Sequence, residues 1–319
     1  MKTKLNTDSG LFNAAKQSRI KRMNNIVDSF KLNQDFPLMK AIQISAPLFQ
    51  ELSALVNLYL YSCIARYNRN EIFIFCDDVL DKYSVHVQAL PNITPNGLIL
   101  PKAEVFLEYN QVHQAVAKIF IELGLDRYLS AVHAPINIRL VSGLPNPALE
   151  NRPRSATKIH SDMWAGEPAD AIMVFIPLFG DTDNVGVKFY EPEQFPRELI
   201  RPLDDFNEGS HVAKKSIEYK GADFSKGQLI LTDPFLLHQT NKNKSGLRLS
   251  IDFRFIAKEK VEMDDLMEST RIDSYLTMEE WCDFGKGRLL TTKSRLEKFT
   301  GKDVVNDRYA SNYEIKRLS

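Results

Sequence analysis

The stretch that decides the fold is GQLILTDPFLLHQTNKNKSGLRLSIDFRFI, residues 227–256. It reads as a strand, a proline-containing turn, a histidine and a second strand in which apolar and polar residues alternate. Leu249, Ile251, Phe253 and Phe255 fall on one face of that second strand, with Arg248, Ser250, Asp252 and Arg254 on the other. Working outward, NIRLVS (137–142), KIHSDMW (158–164), AIMVFIPLF (171–179), VGVKFYEP (185–192) and SIEYKG (216–221) are also short, rich in β-branched and aromatic residues, and bounded by turn residues. Runs of this kind without intervening helices point to a sandwich or barrel and exclude βαβ units.

On either side the pattern changes. LFQELSALVNLYLYSCIARY and KAEVFLEYNQVHQAVAKIFIELGL carry apolar residues at helical spacings, with IFIFC (72–76) as a short strand between them, and after Ala257 the chain turns charged, with MEEWCDFGKG as a turn of helix and a stop. The expected organisation is α+β. A mostly helical region (1–135) packs on a β core (136–258) and is followed by a helical tail (259–319), all in one compact domain because no linker interrupts the chain. The helical flanks offer a surface for a homodimer.

Composition narrows the function. Of 319 residues, 41 are Lys or Arg and 41 are Asp or Glu, so the net charge is zero and gives no electrostatic case for nucleic acid or an anionic membrane. The apolar uncharged stretch from Leu52 to Ala65 is shorter than the roughly 20 residues of a membrane span. The basic N-terminus lacks the apolar centre of a secretory signal and reads as a solvated helix, ahead of an organelle transit peptide. Cys63, Cys76 and Cys282 are scattered and form no C-x-x-C pair, which suits a reducing cytoplasm.

Chemistry concentrates in the β segment. His160-Ser161-Asp162 puts an imidazole and a carboxylate two residues apart, on one face of a strand. Six histidines and 41 acids give about 0.8 such triplets by chance, so this one alone is weak. His238 follows the turn after the 227–233 strand. Two neutral imidazoles and one carboxylate form the facial triad that suits non-heme Fe(II), with the remaining positions open. Arg248 and Ser250, ten residues on, present a guanidinium fork and a hydroxyl suited to a carboxylate.

In order and spacing, HSD (160–162), His238 and RLS (248–250) resemble the Fe(II)/2-oxoglutarate-dependent dioxygenases, with a flavour of the phytanoyl-CoA dioxygenase-like branch found in biosynthetic and carbohydrate gene clusters. DTDNVGVKFYEPEQF and GQLILTDPFLLHQTNKN carry that flavour, and the resemblance covers roughly 137–256. It implies a double-stranded β-helix (jelly roll, cupin-like) core with His160, Asp162 and His238 on iron, and Arg248 with Ser250 on the far carboxylate of 2-oxoglutarate. The implied activity uses Fe(II), 2-oxoglutarate and O2 to hydroxylate an unactivated C–H of a small polar metabolite (a sugar, amino acid or natural-product intermediate), releasing succinate and CO2. Gln228 replaces an acid common in the branch, and the His-to-Arg spacing leaves Arg254 as a second candidate anchor. Asp162 disfavours halogenation, because halogenating relatives carry a small residue there. Asn137 and Arg139 share a strand face and are candidate contacts to 2-oxoglutarate; Lys158 and Trp164, on the face of His160 and Asp162, and Lys188 and Tyr190 are candidate pocket residues. His86, His113 and His133 lie in the flanks and read as structural. Two rivals are a jelly-roll metal enzyme that does not use 2-oxoglutarate, such as a cupin isomerase or oxygenase, and a non-catalytic ligand-binding jelly roll.

Overall fold

The protein is described by a computed structural model that covers residues 2–242, 245–266, 275–284, 286–297 and 313–317. Helix α1 (Lys2–Val27), strands β1 (Leu32–Phe36) and β2 (Met39–Gln43) and helix α2 (Ala46–Tyr67) open the chain. Short helices α3 (Val79–Lys82) and α4 (Ser84–Gln88) lead to α5 (Phe106–Glu122). Then follow β3 (Leu129–His133), β4 (Asn137–Ser142), α6 (Pro147–Glu150), β5 (Ala171–Gly180), β6 (Val187–Glu191), α7 (Ser210–Ala213), β7 (Ile217–Glu218), β8 (Gln228–Thr232), β9 (Leu237–Thr240) and β10 (Leu247–Ala257). Beyond them lie β11 (Tyr275–Thr277), α8 (Met278–Cys282), β12 (Arg288–Thr292) and β13 (Tyr313–Arg317).

The strands form two antiparallel sheets and a separate hairpin, β12–β13. The larger sheet runs β1-β2-β8-β5-β10-β3-β11, with β4 also paired to β10; the smaller is β7-β6-β9. β10 is the central element, and its alternation appears as predicted. Leu249, Ile251, Phe253 and Phe255 are fully buried against the helical layer, where Phe120 of α5 meets Phe253 at 5.4 Å and Trp281 of α8 meets it at 5.6 Å. Each such side chain contributes about 1.5–3 kcal/mol of apolar burial. Arg248, Ser250, Asp252 and Arg254 are also buried, but on the opposite side, toward the smaller sheet. β5 repeats the arrangement, with Ile172, Val174 and Ile176 in the helix-covered core and Met173 and Phe175 facing the smaller sheet. A strand covered on both sides must carry its polar groups into a cavity.

Pro177 sits inside β5, where it has no amide to donate. The ladder with β10 shifts register there, between Leu249 opposite Phe179 and Ser250 opposite Pro177, so the missing donor falls at a bulge. At the end of β5, Gly180 has φ +79° and an added Cβ would lie 1.9 Å from the Leu247 carbonyl oxygen; only glycine fits this turn.

Several expectations are corrected. The larger sheet crosses both predicted boundaries, since β2 pairs with β8 and both β3 and β11 belong to it. The described part of the tail holds three short strands beside α8, on which Thr277 and Glu280 close a capping box and which ends after five residues; the rest of the helical tail expected at 259–319 lies outside the described residues. Residues 72–76 form no ladder; Tyr83 Oη takes the amide and carbonyl of Ile74 instead, leaving Ile72 and Ile74 exposed. α1 is not simply solvated. Phe12, Ala15, Arg19, Arg22, Met23 and Ile26 are all buried, and the two arginines meet Asp233 and Asp264 in a buried four-membered ion network. By length and hydropathy α2 is the one helix among the described residues that could span a membrane, yet Leu52, Val56, Tyr59, Leu60, Cys63 and Ile64 are packed in the core.

Candidate metal centre

Between the two sheets lies a cavity of about 160 Å³, walled by β4, β5, β9 and β10 and by the segment 154–167. His160 and His238 come together because their backbones bond in both directions, His160 N to His238 O at 2.9 Å and His238 N to His160 O at 2.8 Å. After His160 the chain does not continue as a strand. Ser161 caps a 3-10 helix, Asp162–Ala165, by accepting from the Met163 amide, and its Oγ donates to the Pro234 carbonyl at 2.7 Å. That turn brings the Asp162 carboxylate back toward both imidazoles. One ligand atom from each of His160, Asp162 and His238 lies within 4.8 Å of the others, and all three residues are buried.

Each side chain is oriented by its surroundings. The Nδ1 of His160 is 2.7 Å from the Lys158 carbonyl oxygen. A carbonyl can only accept, so Nδ1 carries the proton and Nε2 keeps its lone pair. Phe206 stacks on the same ring at 4.5 Å with planes 6° apart. Burial pulls the His160 pKa down to about 3, and the neighbouring His238 adds to this. Burial lowers His238 as well, so both rings are neutral near pH 7. Burial works to raise the Asp162 carboxyl, but the Arg254 guanidinium beside it outweighs this and holds it well below the usual carboxylate range. Two neutral imidazoles and one ionised carboxylate are a ligand set for a divalent cation.

Arg254 Nη2 donates to Asp162 Oδ1 at 2.9 Å, with Glu167 at 3.8 Å and Asp252 at 3.9 Å around the same guanidinium. Burial works against its charge, yet these three carboxylates raise its pKa above the ordinary arginine value. Arg254 is therefore engaged. Arg248 is not: it is 1% exposed, and its Nε and Nη1 have no hydrogen-bond partner among the described residues. Its guanidinium lies over the face of Phe224, 4.9 Å from the ring centroid. Burial, with Arg139 nearby, pulls its pKa down to about 9, still charged at neutral pH. A buried guanidinium with orphaned donors, lining the same cavity as the triad, calls for an anionic ligand.

Of the remaining sequence candidates, Ser250, Asn137 and Arg139 line the cavity. Asn137 and Arg139 are held by Asp252, with Asn137 Nδ2 at 2.8 Å from Oδ1 and Arg139 Nε at 2.5 Å from Oδ2. Lys158, Trp164, Lys188 and Tyr190 lie outside the wall. Lys158 closes the 155–158 turn and reaches Asp205 at 2.8 Å, while the 3-10 turn carries Trp164 off the strand period into full burial, its indole N–H on the Leu199 carbonyl. On β6 it is Val187 that reaches the cavity, while Lys188 pairs with Glu218 and Tyr190 Oη accepts from Gln239. The wall also includes Arg154, Glu167 and Asp252, not proposed for the site from sequence, and His133, which the sequence reads as structural. Period two from Ser250 would have found Asp252; no spacing rule points to the other three.

No family model and no curated protein matches the chain. Among solved structures it is similar to the non-heme alpha-ketoglutarate-dependent epimerase SnoN from nogalamycin biosynthesis, at 12% identity and TM-score 0.37, covering 79% of this chain and 90% of that one. AviO1 from Streptomyces viridochromogenes Tue57 is similar at 15% identity and TM-score 0.40, covering 78% and 98%. EctD from S. alaskensis with 2-oxoglutarate and 5-hydroxyectoine is similar at 14% identity and TM-score 0.36, covering 76% and 77%. At such scores the chemistry has to be argued from the side chains.

Proposed function

We propose that this chain is an Fe(II)- and 2-oxoglutarate-dependent oxygenase on a double-stranded β-helix core, acting on a small polar metabolite. One observation carries the reading: a buried His-Asp-His cluster and a buried arginine with unmet donors share one cavity. A metal enzyme that does not use 2-oxoglutarate, or a silent binding module, leaves the buried charge of Arg248 without a purpose.

The residues fit both groups. His160, His238 and Asp162 would hold Fe(II), while Arg248 and Ser250 would hold the far carboxylate of 2-oxoglutarate. When bound, the iron and the oxoacid together supply oxygen activation, with succinate and CO2 as the spent products. The protein does the rest. His160 offers Nε2 in a fixed tautomer because the Lys158 carbonyl occupies Nδ1–H. Arg254 occupies Oδ1 of Asp162 and leaves the other oxygen free to hold a metal, so Asp162 would act as a single-oxygen ligand beside the two imidazoles. Phe175 and Phe206 keep the site apolar around the rings, which strengthens each charge contact inside it. Hydroxylation is the default outcome for a substrate C–H placed at the vacant side.

Purified protein incubated with Fe(II), 2-oxoglutarate and O2 is expected to form succinate, and Asp162→Ala to abolish it. Absence of succinate from the wild-type protein across a broad panel of polar metabolites would contradict the reading.

A further inference from the structure

The cavity's charges leave one cation over. Among the described residues its wall carries four arginines, 139, 154, 248 and 254, and three carboxylates, 162, 167 and 252. Arg139 is satisfied by Asp252 through two contacts, 2.5 and 3.1 Å long. Arg254 sits between Asp162 and Glu167. On the oxygenase reading, which this inference rests on, Asp162 and the near carboxylate of 2-oxoglutarate neutralise the ferrous ion. Arg248 takes the far carboxylate and Glu167 balances Arg254. Arg154 alone keeps its charge.

Arg154 has little to quench it. Its Nε donates to the Leu203 carbonyl at 2.8 Å, which fixes the side chain and removes no charge. The carboxylate paired with it, that of Asp204, is 3.7 Å away and fully exposed, a contact worth little in water. Its side chain is one-third exposed, as a residue at a cavity mouth would be. Arg154 also stands at a junction. A second hollow of about 360 Å³ shares Thr94, Asn96, Ala156 and Thr240 with the metal cavity and adds Arg152 and the Lys242–Glu150 ion pair to its rim. The segment 152–157 is the partition, with Arg154 on the metal side and Arg152 on the other.

We infer that the substrate is an anion, a carboxylate or a phosphate ester, whose charged group is held by Arg154 where the metal cavity meets the adjoining hollow. The reacting carbon then lies between that anchor and the vacant side of the metal. A neutral sugar or an amine would leave the surplus charge unmet in a half-buried site, a penalty the anion avoids.

The test uses the full chain loaded anaerobically with Mn(II) and 2-oxoglutarate, titrated with matched probes: glucose 6-phosphate against glucose, and N-acetyl-L-leucine against N-acetyl-L-leucinamide. At least one anionic member is expected to bind about tenfold or more tightly than its neutral partner, the factor a charge-assisted hydrogen bond supplies. Which pair responds separates phosphate from carboxylate. Arg154→Gln, which keeps a donor for Leu203, is expected to erase the preference, Arg154→Lys to retain part of it, and Arg197→Gln, on the exposed surface, to leave it intact. A panel in which no anion outperforms its partner, or a preference that survives Arg154→Gln, overturns the inference. A parallel titration of Fe(II) and 2-oxoglutarate, read by absorption, separates the two levels. If that complex forms and no anion is preferred, only the substrate assignment falls; if it does not form, the oxygenase reading falls with it.

Discussion

His160 and His238 hold each other: the amide of each donates to the carbonyl of the other, and their rings lie 4.4 Å apart. The two-way backbone bridge fixes both side chains on the cavity side of segments distant in sequence, before any metal is considered. The remaining ligand, Asp162, arrives by a turn and is held from behind by Arg254.

Arg254→Gln is accordingly expected to weaken divalent-metal affinity by about 10–100-fold, the usual cost of losing a group that orients a ligand. Calorimetric titration with Co(II) measures it, and the visible spectrum of bound Co(II) should change as Asp162 loses its fixed orientation. Unchanged affinity and spectrum would show that the 2.9 Å contact has no bearing on the metal.

Arg248→Met should act in opposite directions with and without ligand. The buried, unmatched guanidinium works against the ligand-free fold, so replacing it by an apolar chain of similar length is expected to stabilise that fold by about 1–3 kcal/mol. The same variant is expected to lose the rise in melting temperature that Mn(II) with 2-oxoglutarate gives the wild type, because ligand that binds only the native state stabilises by mass action. Thermal unfolding in four conditions reads both effects.

β10 was legible in the sequence because both its faces are buried and chemically distinct, so the alternation of RLSIDFRFI is a direct record of what each side meets. The HSD triplet was legible by residue type but not by geometry. A strand and a 3-10 turn both bring the two side chains together, and the choice is made by the contact of Ser161 with Pro234, which no local pattern encodes. Lys158 and Trp164 were drawn in by that strand reading and fall with it. Arg248 and Arg254 are equivalent by period; only the positions of Asp162, Glu167 and Asp252 around the second separate them. In the tail, YLT, RLLTT and YEIKR are too short for an alternation to show, and the capped turn at MEEW dominates the pattern.

Arg22→Met is expected to cost about 3–5 kcal/mol, because it leaves the buried carboxylates of Asp233 and Asp264 with Arg19 alone to match them, one negative charge in excess. Urea unfolding measures the loss. Replacing all four members, Arg19, Arg22, Asp233 and Asp264, by apolar residues is expected to recover most of it, since the network stabilises mainly by mutual compensation.

Stability of the metal-free protein should fall on acidification before most carboxylates titrate. His113 is fully buried, with the Trp281 indole N–H 3.1 Å from Nδ1 and the Ile136 amide 3.2 Å from Nε2; a neutral ring accepts one of these, and a protonated ring accepts neither. Burial, with His133 nearby, lowers its pKa from 6.5 to about 3. The folded pKa is depressed, so the unfolded chain takes up a proton that the folded chain refuses. The ring's contribution is complete above about pH 6.5 and is lost as pH falls toward 3, about 2 kcal/mol by pH 5. His160 and His238, also lowered by burial, contribute in the same window, so His113→Gln is expected to reduce the pH dependence of urea midpoints there without abolishing it; an unchanged slope would contradict the assignment.

The most direct measurement is anaerobic absorption of the protein with Fe(II) and 2-oxoglutarate. Wild-type protein is expected to develop the visible charge-transfer band of an iron-bound 2-oxo acid. His238→Ala should abolish it through loss of metal, and Arg248→Ala should shift its half-saturation to much higher 2-oxoglutarate. A wild-type protein that shows no band at saturating Fe(II) and 2-oxoglutarate would contradict the joint placement of His160, Asp162, His238 and Arg248 in one working site.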